Sequence, residues 1–132
     1  MAFTGPLEDR ILIREFQESF ADVINRKAKD EWLAFWADDA VWIASALSAK
    51  GKKEIFEQWE QFYSPFNSNR MNETRFYKVT PAALVIHGNT ASGRSYVEVL
   101  VIYAGTLSQK IYYYSCDEQY IKQDGKWLIT RR

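Results

Sequence analysis

The chain is predicted to fold as an α+β domain, with N-terminal helices packed on one face of a curved antiparallel sheet. Three observations carry that expectation. Apolar residues recur at helical spacing up to about residue 63, long strand-like segments follow from residue 74, and the junctions between those segments have the composition of hairpin turns. At 132 residues the chain is read as one domain spanning 1–132, long enough to bury roughly two thirds of its unfolded surface.

A first helix is expected over 7–26. Pro6 suits a first helical turn, and Glu8 and Asp9 supply the acidic start that a helix dipole favours. Leu12, Phe16, Phe20 and Val23 then recur on one face, with Ile13 and Ile24 widening the stripe and Asn25 at its end. After a polar break at 27–29 a shorter helix is expected over 30–36. It leads into a corner, Trp32 to Trp42, where helical spacing gives way to a strand at 41–44 and Asp38 and Asp39 mark the change. Those two carboxylates are assigned to turn or capping bonds rather than to chemistry. Gly51 opens a third helix through Ile55, Trp59 and Phe62, ending near Pro65. The loop signal at 64–71 is the longest in the chain and is read as a lid.

Strands are expected over 74–86, 90–104, 109–122 and 126–132, joined as a meander. The segment from Ser95 to Tyr103 is apolar on both alternating faces apart from Glu98, so both faces of the sheet should be covered. Helices cover one. A second copy of the chain is expected on the other, through Tyr96, Leu100 and Ile102, making a homo-oligomer, dimer or trimer.

Seventeen basic residues balance seventeen acidic ones, which argues against nucleic acid or an anionic membrane surface as a partner. Aromatic residues make up 16% of the chain, with eight Tyr and five Trp. That content suits a cavity for an apolar or partly hydroxylated organic ligand. One Cys and one His leave no internal disulfide and no zinc spacing, so neither a metal nor a cofactor is expected. No leader or membrane-spanning run is evident, and a cytoplasmic location is expected. His87 falls at a hairpin tip and is read as solvent-exposed, and Cys116 is read as a buried, inert thiol.

The last hairpin has two readings. A two-residue turn at Asp124-Gly125 pairs Lys126 with Gln123 and sets Arg132 opposite Asp117. A three-residue loop with Gly125 as a left-handed bulge pairs Lys126 with Lys122 and sets Arg132 opposite Cys116.

Ile13-Arg-Glu-Phe, the segment Trp32 to Trp42, Ser95-Tyr96 and the run Tyr120 to Trp127 together resemble the SnoaL-like branch of the nuclear-transport-factor-2-like (NTF2-like) superfamily. The pattern is nearest to the hexachlorocyclohexane dehydrochlorinase and scytalone dehydratase types. The resemblance implies a cone-shaped α+β barrel around one pocket. It also implies a general-base dyad, a carboxylate at the end of the first helix orienting a strand His, at positions held here by Asn25 and Phe76. Asn cannot ionise and Phe has no proton to exchange, so that dyad is absent. A basic pocket residue of the dehydrochlorinase corresponds to Phe20, whereas Trp42 and Arg132 match pocket positions. The resemblance favours the three-residue hairpin, with Tyr112, Tyr114, Cys116 and Arg132 facing the pocket and Asp117 turned outward.

The expected site therefore has Tyr114, Arg132 and Glu118 as catalytic candidates, Glu118 being the one carboxylate base on that face. Phe20, Asn25, Trp42, Phe76, Val97, Val99, Tyr112 and Cys116 are the expected substrate-binding lining. A pairing of Glu118 with Arg132 is the structural reading of the same two residues. Two functions follow: a small cofactor-free lyase or isomerase, of dehydratase, cyclase or elimination type, or a non-catalytic small-molecule-binding or accessory protein that kept the pocket and lost the dyad.

Overall fold

Helix α1 (Leu7–Asn25) forms where its apolar stripe lies. Pro6 precedes it in an extended conformation, Glu8 and Asp9 occupy the first turn, and Ile13, Gln17, Phe20, Val23 and Ile24 make the buried face. The computed structural model describes residues 2–44, 47–63, 73–103, 105 and 108–132. It shows why α1 ends at Asn25. Lys27 takes a left-handed conformation (φ 58°), Ala28 N–H donates to the Val23 carbonyl, and Lys27 N–H donates to the Ile24 carbonyl. This is a Schellman turn with lysine in the place usually given to glycine. The Arg26 guanidinium meets Asp22 at 2.8 Å and Glu31 at 2.7 Å, tying the turn to α2 (Lys29–Leu33).

The corner differs from expectation. Helix α2 stops at Leu33, and strand β2 (Trp36–Ala44) starts five residues before the expected 41. Burial explains the difference: Trp36, Ala37 and Ala40 are all in the core, and an extended chain delivers them there. Asp38 and Asp39 lie exposed within β2, in the irregular stretch between Trp36 and Val41, and Asp38 faces Lys52 at 3.6 Å. Strand β3 (Leu47–Lys50) pairs antiparallel with β2. Four residues are too few for a legible alternation, and this strand was not anticipated. Helix α3 (Gly51–Tyr63) follows, its first turn capped by the Glu54 carboxylate accepting from Lys50 N–H at 2.7 Å. The expected lid at 64–71 lies outside the described residues.

Strands β4 (Glu73–His87), β5 (Thr90–Tyr103), β6 (Gln109–Gln123) and β7 (Lys126–Arg131) form the expected meander. A two-residue strand, β1 (Phe3–Thr4), adds parallel to β4, and β7 pairs parallel with β2, giving the order β1-β4-β5-β6-β7-β2-β3. The sheet is curved and open rather than closed into the expected barrel. Part of the curvature is built at the β4–β5 irregularity between Pro81 and Ala83. Gly93 lies against it so closely that a Cβ there would meet the Ala83 carbonyl oxygen at 2.8 Å.

Helices pack on one face, the inner one. An aromatic cluster fills the space beneath α1 and α3: Trp32 stands 4.3 Å from Trp59 and 5.4 Å from Trp36, ring centre to ring centre, and Trp42 stacks 5.9 Å from Trp36. On the outer face the register aligns Phe76 with Leu100 and Leu100 with Ile111, and Phe76, Tyr96, Ile102, Ile111 and Tyr113 are exposed there. Among the described residues no helix is long and apolar enough to cross a membrane.

The Asp9 carboxylate accepts from Lys122 Nζ at 3.0 Å and from Trp127 Nε1 at 3.2 Å, fastening the first turn of α1 to the β6–β7 hairpin. Lys122 holds its pKa below the usual carboxylate value, against the opposing effect of desolvation. A depressed folded-state pKa contributes stability that is whole above about pH 4 and lost as pH falls through the lowered value. Asp9→Asn should therefore lower Tm at pH 7, and in thermal melts at falling pH the gap to the parent should narrow below about pH 4 and close as Asp9 is protonated in the folded chain.

Candidate functional site

The β6–β7 hairpin takes the two-residue turn, correcting the expected three-residue loop. Asp124 (φ 51°) and Gly125 (φ 78°) make the turn, Gln123 pairs with Lys126, and Lys122 pairs with Trp127. The bulge sits further along. Tyr120 pairs with Ile129 but Gln119 pairs with Arg131, so Thr130 is the extra residue and Arg132 lands opposite Glu118 rather than Cys116. The expected inner set on β6 still faces inward, because one inserted residue flips the strand wherever it falls. Asp117 faces out and meets Arg94 at 3.2 Å.

Arg132 is fixed at both backbone groups. Its N–H donates to the Val41 carbonyl at 3.1 Å and its carbonyl accepts from Ile43 N–H at 2.8 Å. The guanidinium, buried, hydrogen-bonds Glu118 Oε1 through Nη1 and the Tyr77 hydroxyl through Nη2, and lies 4.7 Å from the centre of the Phe20 ring. Burial opposes its charge, but Tyr77 and Glu118 outweigh burial and hold its pKa well above the usual value.

Glu118 is 1% exposed and saturated. Oε1 accepts from Ser95 Oγ at 2.8 Å as well as from Arg132, and Oε2 accepts from Gln17 Nε2 at 2.9 Å and from the Tyr120 hydroxyl at 2.8 Å. Four donors fill the lone-pair sites of the carboxylate. The candidate base therefore has no oxygen lone pair to spare for a substrate proton, and its pairing with Arg132 is buried. Gln17 also donates to the Tyr120 oxygen at 2.8 Å. Burial, and then the Glu118 charge, push the Tyr120 pKa well up.

Two expected lining residues are corrected. Phe76 pairs with Leu100 on the outer face and is 51% exposed, whereas its neighbour Tyr77, at 3%, points inward opposite Val99. Asn25 reaches the right strand but spends its amide on it: Nδ2 donates to the Tyr77 carbonyl at 2.9 Å and Oδ1 accepts from Tyr77 N–H at 2.7 Å. It clamps the backbone of Tyr77.

Along the inner face of β6 the environment opens step by step. Glu118 is buried, Cys116 is half-buried, and Tyr114 and Tyr112 are exposed, with Val97 and Val99 as their buried partners on β5. Burial pushes the Cys116 thiol up, keeping it protonated at neutral pH. Tyr77 is hydrogen-bonded to Tyr114, and desolvation raises its pKa despite the adjacent Arg132. A chain thus runs from the buried charge pair through Tyr77 to a hydroxyl at the open end. Lys110 stands 5.0 Å from the Tyr112 ring, and Arg75 lies one row beyond Tyr77 on the same face. Trp42 belongs to the aromatic cluster, and Phe20 joins that cluster to Arg132. His87 is exposed at its turn. Among the described residues no group of three His, Cys, Asp or Glu side chains is placed to hold a metal ion.

Sequence reading missed Gln17, Tyr77, Ser95 and Tyr120. Gln17 carried a signal: it sits at i+4 from Ile13 and i−3 from Phe20, a polar residue on the apolar stripe. Such a residue needs a buried partner.

Asn25→Ala should cost about 1 to 3 kcal/mol of stability by leaving the Tyr77 backbone groups unpaired, read as a lowered urea midpoint. Phe76→His, alone or with Asn25→Asp, should create no inner base, because the new imidazole would stand on the outer face. Chemical shifts and titration of that histidine should report a solvent-exposed ring.

A model of the SnoaL-like domain matches residues 5–132. Similar solved structures include a candidate scytalone dehydratase of Novosphingobium aromaticivorans (TM-score 0.80, 18% identity, covering 96% of this chain and 82% of the other). They also include ActVI-ORFA of Streptomyces coelicolor (0.80, 17%, 96% and 93%) and a hexachlorocyclohexane dehydrochlorinase of type 2 (0.77, 16%, 95% and 82%). At these identities the likeness is one of fold. No curated protein matches the chain significantly.

Proposed function

The chain belongs to the SnoaL-like domain family, within the NTF2-like superfamily, and from that premise we propose that it is a small cofactor-free lyase or isomerase acting on a largely apolar organic molecule. The observation that carries this reading is the chain of groups from Arg132 through Tyr77 to Tyr114. Arg132 donates to the Tyr77 oxygen, Tyr77 and Tyr114 share a hydrogen bond whose proton either phenol can supply, and with Tyr77 supplying it Tyr114 has a proton to offer a ligand. Such a donor, polarised from behind by a fixed cation, stabilises negative charge that grows on a substrate oxygen during enolisation, ring closure or elimination. Val97, Val99 and Tyr112 supply the apolar wall. The similarity to dehydratase and dehydrochlorinase structures is in keeping with this class of chemistry.

One observation favours the second reading, a non-catalytic binding or accessory protein. The inner-face carboxylate whose side chain is described, Glu118, has all its oxygen sites filled by protein donors and is not available as a base. The two readings separate on turnover. With a panel of hydroxylated polycyclic ketones, terpenoids and chlorinated rings, Tyr114→Phe should lower kcat about a hundredfold with a smaller change in KM. The rate of the parent should be flat from about pH 6 to 8 and unchanged in His87→Gln, because no inner His titrates. A parent that binds panel members, seen by thermal shift, yet turns none over is the binding protein.

A second copy of this chain is the partner we assign to the outer face. The apolar row Phe76, Leu100 and Ile111 is flanked by Lys78 with Glu98 and by Arg94 with Asp117, a mixed-sign border able to complement itself across a two-fold axis. Sedimentation should show an oligomer at micromolar concentration and Leu100→Lys should dissociate it. A monomeric parent rejects the assignment.

A further inference from the structure

Arg132 invites the reading that this site binds an acid, and the geometry around it argues the reverse. Its guanidinium hydrogen-bonds Tyr77 and Glu118, and its charge is matched inside the protein by Glu118, itself held by Ser95, Gln17 and Tyr120. With both members of the pair almost wholly buried (side chains 6% and 0% exposed), their fields largely cancel at the distance of a ligand. What the ligand meets at that depth is a hydroxyl, Tyr114, beside a half-buried neutral thiol and two valines. An uncharged oxygen acceptor gains a hydrogen bond there. A carboxylate gains the same bond but gives up most of its hydration with no net cation in return.

We propose that Glu118 is a specificity-determining residue: by cancelling Arg132 within the protein, it makes the inner end of the site select an uncharged ketone, ester or phenolic oxygen and turn a carboxylate away. This rests on the reading of Tyr114 as the donor to the ligand. Among the side chains described, the remaining charges facing the site from neighbouring strands are Arg75 on β4 and Lys110 on β6. Both lie one row beyond Tyr77 and Tyr112, so an anion held by Lys110 sits at the rim rather than at Tyr114.

Two shape-matched probes separate these places, 2-acetylnaphthalene and 2-naphthoate, titrated by tryptophan fluorescence at pH 7.5 in the full chain. The expected result is that Tyr114→Phe weakens the ketone about tenfold and leaves the naphthoate unchanged. In Glu118→Gln, which keeps the shape and removes the charge, the naphthoate should gain about tenfold, become sensitive to Tyr114→Phe, and the ketone should gain little. Should Glu118→Gln not fold, the Tyr114→Phe comparison decides alone. Equal sensitivity of both probes to Tyr114→Phe, or equal response of both to Glu118→Gln, overturns the proposal while leaving the inner face as a ligand site. If neither probe binds the parent at millimolar concentration, the proposal falls together with the reading of an organic-ligand pocket.

Discussion

The buried pair of Arg132 and Glu118 is the constraint that the rest of the inner face answers to. Two charges cannot be taken out of water for free, and their mutual attraction offsets the loss only if every remaining lone pair and proton finds a partner. The partners come from across the fold: Gln17 from α1, Ser95 from β5, Tyr120 from β6 and Tyr77 from β4, with the Phe20 ring closing the remaining side. Each supplier has to arrive in register, so the pair enforces the arrangement of helix and strands more than it stabilises the chain. Removing one member strands the other charge, and replacing both with apolar groups need not destabilise at all.

Two devices put the suppliers in place. The aromatic cluster anchors β2 through Trp36 and Trp42, and β2 in turn binds the backbone of Arg132 on both sides. At the opposite edge, the Schellman turn after α1 leaves Asn25 pointing at β4, where it grips both backbone groups of Tyr77. Arg132 and Tyr77 are thus each held at the main chain before their side chains meet. A hydroxyl and a guanidinium fixed in this way lose little further freedom on binding a ligand, which is the condition for a useful hydrogen-bond donor.

The α+β class, the long helix and the meander were legible because they rest on periodicity over many residues. The inward face of β6 came from the family resemblance, since alternation by itself left open whether Asp117 or Cys116 and Glu118 turned inward. What sequence did not resolve is where single residues are inserted. One extra residue at Thr130, rather than in the turn, changed the partner of Arg132 from Cys116 to Glu118. One step along β4 exchanged Phe76 for Tyr77 and with it an exposed ring for a buried phenol. Nothing in the composition of either stretch marks the step, because a strand reads equally well from both sides when both sides carry aromatics. Strand β3 was lost to its shortness, and the roles of Ser95 and Tyr120 depend on a contact with Glu118 that only the folded sheet creates.

These insertions change the chemistry as well as the map. With Phe76 as the inner residue, the site reads as a dyad replaced by inert groups; with Tyr77 inside, a proton-bearing phenol stands there, backed by a permanent cation. Asn25, which cannot serve as an orienting carboxylate, orients the same strand through its amide instead. On the proposed reading, the site is of the type that offers a proton rather than the type that takes one. A base-driven elimination loses its first step in such a site, whereas a reaction whose barrier lies in charge gathering on oxygen keeps its main source of stabilisation. The neutralised Arg132 sharpens that distinction: it polarises Tyr77 at contact distance, yet presents no net charge that would capture an anion in the ground state.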